Sequence, residues 1–389
     1  GLKVGHDFNR WLIVPAATLN HLSLGSIYAW SIFNVPLMRL NGVVVQASSD
    51  WSLGDITPTF SLVMGGFASG AILGRYLESY GPRVSCLAGA TCLAGGFSLA
   101  SAAVVTQNLP MLYLGGAVWG LANGWAYVPP ISTLIKFFPE KKGMASGMCL
   151  LGYGGGAMVA APLFSRLIEH FRVMPEYIGP ATSDFDFVDG KLMAETAEGL
   201  REVVVATAAD LASCGIANAE PGAYLVGTGS TGIAETFLTL GLGYGALMAA
   251  MSFVFRLPPD NYVPPGVANA LTAETEPLSA AKPREPAATP LTTHNVSVTD
   301  ATRSRQFWLL YAGFGSSIIG CYGLLSSGKL MMTEAFGSAL PDMVTAGFTS
   351  TFVAGMSAAN LSGRIFFPTV SDYLARWRGG DPFFARKYV

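Results

Sequence analysis

One arginine interrupts an apolar stretch. Arg364 follows the charge-free residues 343–363, and Phe366, Phe367, Pro368 and Val370 continue the apolar run beyond it. It stands eight residues before Asp372, roughly 12 Å along a helix that rises 1.5 Å per residue. If the run crosses a bilayer, an arginine there costs about 3 kcal/mol even on the lenient insertion scale, so it must face a cavity or a partner. A guanidinium fork can hold a carboxylate through two parallel hydrogen bonds, which a lysine cannot reproduce. The competing reading is that Arg364 marks the frayed end of a helix and snorkels to the headgroups. Tyr28, Trp30, Trp119, Trp125, Tyr127 and Tyr153 also lie inside apolar runs, where each N–H or O–H needs a polar partner. Helix packing is the commoner explanation for any single one of them.

Other chemistries find no support in the residue types. His6, His21, His170 and His294 are dispersed, and no Ser-His-acid or paired-carboxylate grouping forms. His21 reads as a hydrogen-bonded structural residue. Cys86, Cys92, Cys149 and Cys321 lie in apolar runs and Cys214 lies alone in a polar stretch, without metal-ligand spacing. The glycines Gly147, Gly152, Gly154, Gly155 and Gly156 follow no strand, so they do not form a nucleotide loop. No catalytic residue, metal site or cofactor is expected, and a net charge of −2 gives no reason to expect nucleic acid.

The elements that position these residues are set by composition. Hydrophobic residues make up 51% of the chain and charged residues 12%, about half the charge of an ordinary globular domain. Residues 11–38, 56–74, 84–135, 143–165, 236–255, 306–328 and 343–363 contain no Asp, Glu, Lys or Arg. A membrane helix needs roughly 20 such residues. The run 84–135 is long enough for two, divided near Thr106-Gln107-Asn108-Leu109-Pro110. Eight transmembrane spans follow, and with them a lipid bilayer as solvent. Pro129 and Pro130 fall in the fourth span. A soluble helix would not tolerate them, but a bilayer helix can if neighbouring helices take up the freed carbonyls. This arrangement points to a channel or carrier.

Sixteen Lys and Arg gather on one side if both chain ends and the connections 2–3, 4–5 and 6–7 share it, leaving six opposite and Arg364 within a span. That side should be cytoplasmic, with Glu140, Lys141 and Lys142 forming its turn before span 5. Residues 257–305, with eight prolines, read as a disordered cytoplasmic linker, in which the sequon Asn295-Val296-Ser297 should stay unmodified. Residues 172–231 read as an acidic outer insert. Its segment 191–214 has apolar residues near helical spacing and is expected to form a surface helix. The insert itself reads as a solvated cap.

The turn Gly74-Arg75-Tyr76-Leu77-Glu78-Ser79-Tyr80-Gly81-Pro82-Arg83 after span 2 is echoed after span 8 by Pro368-Thr369-Val370-Ser371-Asp372-Tyr373-Leu374-Ala375-Arg376. The repeat unit is then six spans. The first copy resembles the signature turn of the major facilitator superfamily, with Glu78 in place of the usual Asp. The second has Pro368 and Ala375 where glycine is usual. Within that superfamily the chain resembles the oxalate/formate antiporter family, through Leu24-Gly25-Ser26-Ile27-Tyr28-Ala29-Trp30-Ser31, Ala126-Tyr127-Val128-Pro129-Pro130, Phe138-Pro139-Glu140-Lys141-Lys142-Gly143, Gly152-Tyr153-Gly154-Gly155-Gly156 and Arg256-Leu257-Pro258-Pro259. The likeness covers residues 10–171, 233–260 and 305–376.

The resemblance implies an all-α membrane fold of twelve helices, of which eight are in this chain. It divides the chain into an N-terminal six-helix half (1–256), the linker (257–305) and the start of the second half (306–389). It implies a monomeric secondary or exchange transporter of small carboxylate anions, oxalate- or formate-like, in a plasma or organelle membrane. Arg364 would bind the carboxylate and Tyr28, Tyr127 and Tyr153 would line the anion cavity. Gly74, Glu78, Gly81 and Arg83, with Asp372 and Arg376 in the second copy, would form the cytoplasmic gating motif. Gly116 stands where proton-coupled members carry an arginine, so exchange or facilitated transport is expected. Two other readings stay open: a lactate- or pyruvate-like monocarboxylate carrier, and a non-transporting membrane receptor or scaffold.

Overall fold

The structure, a computed structural model, describes residues 8–138, 142–181, 185–188, 190–196, 199–214, 216, 219–259, 262 and 298–377. The eight apolar runs are helical. Span 1 is broken into α1 (Ile13–Gly25), a 3-10 turn (Ser26–Ala29) and α2 (Ser31–Leu37). Spans 2, 3 and 4 are α3 (Leu53–Tyr80), α4 (Pro82–Val105) and α5 (Leu109–Phe137). Span 5 is two pieces, α6 (Lys142–Gly154) and α7 (Gly156–Phe171). After α8 (Ala208–Ser213) in the insert, span 6 is α9 (Ile233–Ser252). The short α10 (Val298–Arg303) leads into spans 7 and 8, α11 (Arg305–Phe336) and α12 (Ala346–Trp377). Among the described residues, five helices are long and apolar enough to cross a membrane, in spans 2, 3, 5, 6 and 7.

Local chemistry sets the helix ends. Ser52 and Asp55 form a reciprocal capping box at the start of α3, and the Asn108 side chain accepts from the Met111 amide at the start of α5. These bonds satisfy amides that have no partner within the helix. Gly81 joins α3 to α4 at φ 89°, a conformation that side-chain-bearing residues avoid. The first half then packs backbone to backbone. A methyl group at Gly66 would lie 2.8 Å from the Gly120 Cα, so α3 and α5 can meet this closely only without side chains. The core between the helices is aromatic: Phe33 stacks on Phe164 with centroids 4.8 Å apart, and Trp119 lies 4.7 Å from Phe97.

The proline pair is accommodated by a neighbour. Pro130 cannot donate to the carbonyl of Ala126 four residues back. The Asn20 side-chain amide, from span 1, donates to that oxygen at 3.0 Å instead. α5 therefore continues through both prolines to Phe137.

The insert departs from expectation. Residues 191–214 do not form one surface helix. They form β3 (Lys191–Thr196), β4 (Gly199–Ala206) and the short α8, within a five-stranded antiparallel sheet. The other strands are β1 (Tyr177–Gly179), β2 (Asp186–Val188) and β5 (Gly222–Leu225), in the order β1-β5-β4-β3-β2. Two features defeat the helix. Val203, Val204 and Val205 are β-branched and favour a pleated surface, and Gly199 at φ 109° turns the chain back so that Thr196 faces it. Only Ala208–Ser213, capped by Thr207 and Asp210, stays helical. The sheet is fastened to the loop after span 1: Val44 and Ala47 pack with Val204, Leu211 and Tyr224. The Ser48 hydroxyl and amide donate to Glu202 Oε1 at 2.7 and 3.2 Å.

Residues 298–303 of the expected linker are helical, and Ser304, which caps α11, separates them from that helix. Residues 263–297, with the sequon, and Glu140 and Lys141 of the expected turn lie outside the described residues.

Candidate functional site

Span 8 carries two polar residues one turn apart, Asn360 and Arg364. Arg364 Nε donates to Asn360 Oδ1 of the same helix at 2.7 Å, which fixes the planar head. Arg364 Nη2 donates to the Tyr28 hydroxyl at 3.3 Å. The guanidinium carbon lies 5.6 Å from the centre of the Tyr153 ring, within cation–π range. Tyr153 is 1% exposed and meets Tyr28 and Tyr127 edge-on at 5.2 and 4.9 Å. Arg364, Tyr28, Tyr127 and Tyr153, which come from spans 8, 1, 4 and 5, are thus brought into one cluster. Among the described residues, no carboxylate lies within ion-pair distance of Arg364.

Two members, Tyr322 and Asn360, were not singled out from the sequence. Tyr322 of span 7 lies 6.1 Å from Tyr28, ring to ring, and is one aromatic among many along that helix. Asn360 could have been found from its place four residues before Arg364, the spacing of neighbours on a helix face. His21 is buried below the cluster, its ring 5.1 Å from Tyr127, and Cys149 Sγ lies 3.2 Å from its Nδ1. His21 Nδ1 is also 3.1 Å from the Ala17 carbonyl oxygen. Among the described residues, no group of three or more His, Cys, Asp or Glu could hold a metal ion.

Span 5 is shaped to admit span 8. A methyl group at Gly154 would lie 2.7 Å from Arg364 Cδ and 2.8 Å from its Nε. Beside it Ser357 enters the backbone of span 5. Its hydroxyl donates to the Gly154 carbonyl at 2.7 Å and accepts from the Met158 amide at 3.0 Å. Those two groups stand four residues apart and would otherwise bond each other. The insertion of a side chain into the ladder is a recognised cause of helix bending, and it accounts for the break between α6 and α7.

The residues of the expected gating motif do not all meet. Glu78 accepts from Lys136 Nζ at 2.8 Å and from the Ser132 hydroxyl at 3.2 Å. The Lys136 hydrogen bond, then its charge, hold the Glu78 carboxyl below its ordinary value. Arg83 stacks on Phe253, 4.5 Å from the ring centre, at the end of span 6. Gly81 makes the turn, while a methyl group at Gly74 would meet nothing within 4 Å. Asp372 and Arg376 fall in the last two turns of α12.

These helices, of which spans 1 and 5 are broken beside the cluster, define a multi-pass integral membrane protein with the fold of the major facilitator superfamily. Among solved structures, a bacterial homologue of the human lysosomal transporter Spinster matches with a TM-score of 0.50 at 15% identity, covering 96% of this chain and 64% of that one. No family model matches the chain. It is similar to an uncharacterized MFS-type transporter, YhjX, of Escherichia coli, at 32% identity over 41% of this chain and 38% of that one. It is also similar to the oxalate:formate antiporter of Oxalobacter formigenes, at 27% identity over 43% of this chain and 38% of that one. The apicoplast pyruvate carrier 1 of Toxoplasma gondii matches at 30% identity over 43% and 37%. The chain spans less than two fifths of the length of each of these relatives.

Proposed function

We propose that this chain belongs to a secondary or exchange transporter of small carboxylate anions. The observation that carries the reading is Arg364: a guanidinium within a span, oriented by Asn360, surrounded by tyrosines and facing no carboxylate among the described residues. An anionic substrate supplies the missing partner, through two parallel hydrogen bonds. Tyr28, Tyr127 and Tyr153 shape the pocket and offer hydroxyl donors. Alternating access follows from rocking of residues 1–256 against the half that begins at 306, about a midplane site. Gly74, Glu78, Gly81 and Arg83, with Asp372 and Arg376 of span 8, form the gate on the basic, cytoplasmic side.

The substrate is oxalate- or formate-like, supported by the similarity to the oxalate:formate antiporter. A second reading, a monocarboxylate carrier, is favoured by one feature. Arg364 is the single cation in the described cluster, and one fork matches one carboxylate. The pyruvate carrier among the relatives points the same way. Counterflow of labelled oxalate, formate and pyruvate into liposomes bearing the native protein distinguishes the two. Arg364→Ala should abolish flux of whichever anion is carried, and unchanged flux in that variant overturns the assigned role.

A further inference from the structure

The end of the molecule that bears the insert holds a separate cavity of about 520 Å³, between spans 1, 5, 7 and 8. Arg364, Tyr28, Tyr127 and Tyr153 do not line it. Four cations do: Arg39 just after span 1, Arg166 and Arg172 at the end of span 5, and Lys329 of span 7. Glu169 is the one carboxylate in its lining. Among the described residues, no carboxylate lies within ion-pair distance of any of the four. Arg39 is held in place, its Nη1 donating to the Val44 carbonyl at 2.7 Å and contacting Cys214 Sγ. The fixed loop of the cap thus contributes to the wall.

Four positive groups facing one void with one acid repel each other, and the repulsion is stronger beside low-dielectric walls than in open water. An anion in the void removes that penalty. The same geometry focuses field lines and raises the local concentration of anions. Position then decides whether this is the Arg364 site by another route. Ala354 lines the cavity and stands ten residues before Arg364 on α12, roughly 15 Å along a helix. A two- or three-carbon anion cannot touch both places at once.

We propose that this cavity is a second anion site, a vestibule that binds a small carboxylate before it reaches Arg364. The proposal rests on the carboxylate reading of the chain. Arg172 and Lys329 are its principal ligands, since Arg39 is committed to the cap and Arg166 is exposed.

Cys214 lines the same cavity and reports on it. The native protein in lipid nanodiscs is treated with a sulfonate-bearing or a trimethylammonium-bearing methanethiosulfonate, and modification of the Cys214 peptide is timed by mass spectrometry. The anionic reagent should react about tenfold faster or more, the lower end of the range for electrostatic focusing. Oxalate, or pyruvate where counterflow identifies a monocarboxylate, should slow that reaction both in the native protein and in Arg364→Ala. Arg172→Gln with Lys329→Gln should remove both the preference and the protection. Equal rates for the two reagents overturn the vestibule. Preference without protection also overturns it as a binding site and leaves the Arg364 reading standing. Protection that disappears in Arg364→Ala shows one site rather than two. Protection intact in a protein whose flux ignores Arg364→Ala overturns the Arg364 reading alone.

Discussion

Replacing Gly154 by alanine tests the Arg364 site without replacing any residue proposed to contact substrate. The new methyl carbon would stand 2.7 Å from Arg364 Cδ, 2.8 Å from Nε and 3.1 Å from Asn360 Oδ1. Ordinary contact begins near 3.4 Å, so the middle of the Arg364 side chain must retreat by about 0.7 Å. That movement breaks the 2.7 Å bond to Asn360 and turns the fork away from Tyr28. A hydrogen bond to a charged group is worth about 1.5–3 kcal/mol, which is roughly 10- to 100-fold in affinity. Gly154→Ala should therefore bind labelled oxalate roughly 10- to 100-fold more weakly in scintillation proximity assays. Gly95→Ala is the control, since a methyl group there meets nothing within 4 Å, and it should bind normally. Native affinity in Gly154→Ala would refute the idea that Arg364 is held for a substrate.

Two further outcomes follow from the packing. Asn20→Leu should lower the thermal midpoint in detergent, through about 1–3 kcal/mol for the buried Ala126 carbonyl left unpaired. In a Pro130→Ala background the residue 130 amide can take that carbonyl, so the loss should shrink, and a double-mutant cycle with no coupling contradicts the pairing. In the cap, burial pushes the Glu202 carboxyl upward, but bonds from Ser48 and Lys191 outweigh it and hold it below 4.5. A carboxyl depressed on folding stabilises above its unfolded value and loses that contribution as pH falls through the folded one. The protection of β4 amides, measured relative to the intrinsic exchange rate at each pH, should stay high at neutral pH and fall as pH drops below about 4.5, and Glu202→Gln should flatten the profile.

What the sequence disclosed follows from where water is absent. The spans are legible because a bilayer tolerates few charges, and Arg364 is legible because it violates that rule. Pro129 and Pro130 posed a backbone problem whose existence, though not its solution, could be read. The solution needed Asn20, more than a hundred residues away. The tyrosines stood out from other mid-span aromatics only through the family resemblance, and Tyr322 had neither kind of signal. The insert misled because apolar residues in a short hairpin can fall near helical spacing. What decides for a sheet is the contact of Val204 and Tyr224 with Val44, a pairing between segments far apart in the chain.

The Ser357 hydroxyl has a consequence for motion. It stands between Gly154 and Met158 as an intermediary, accepting from one and donating to the other. If span 8 withdraws, as the proposed alternating access requires, the two backbone groups have each other to return to, at the spacing of any helical bond. Span 5 then heals behind the departing side chain, and neither group is stranded in an interior without water. Spans 5 and 8 can part there without leaving the Gly154 carbonyl or the Met158 amide unpaired, so the contact holds without acting as a lock.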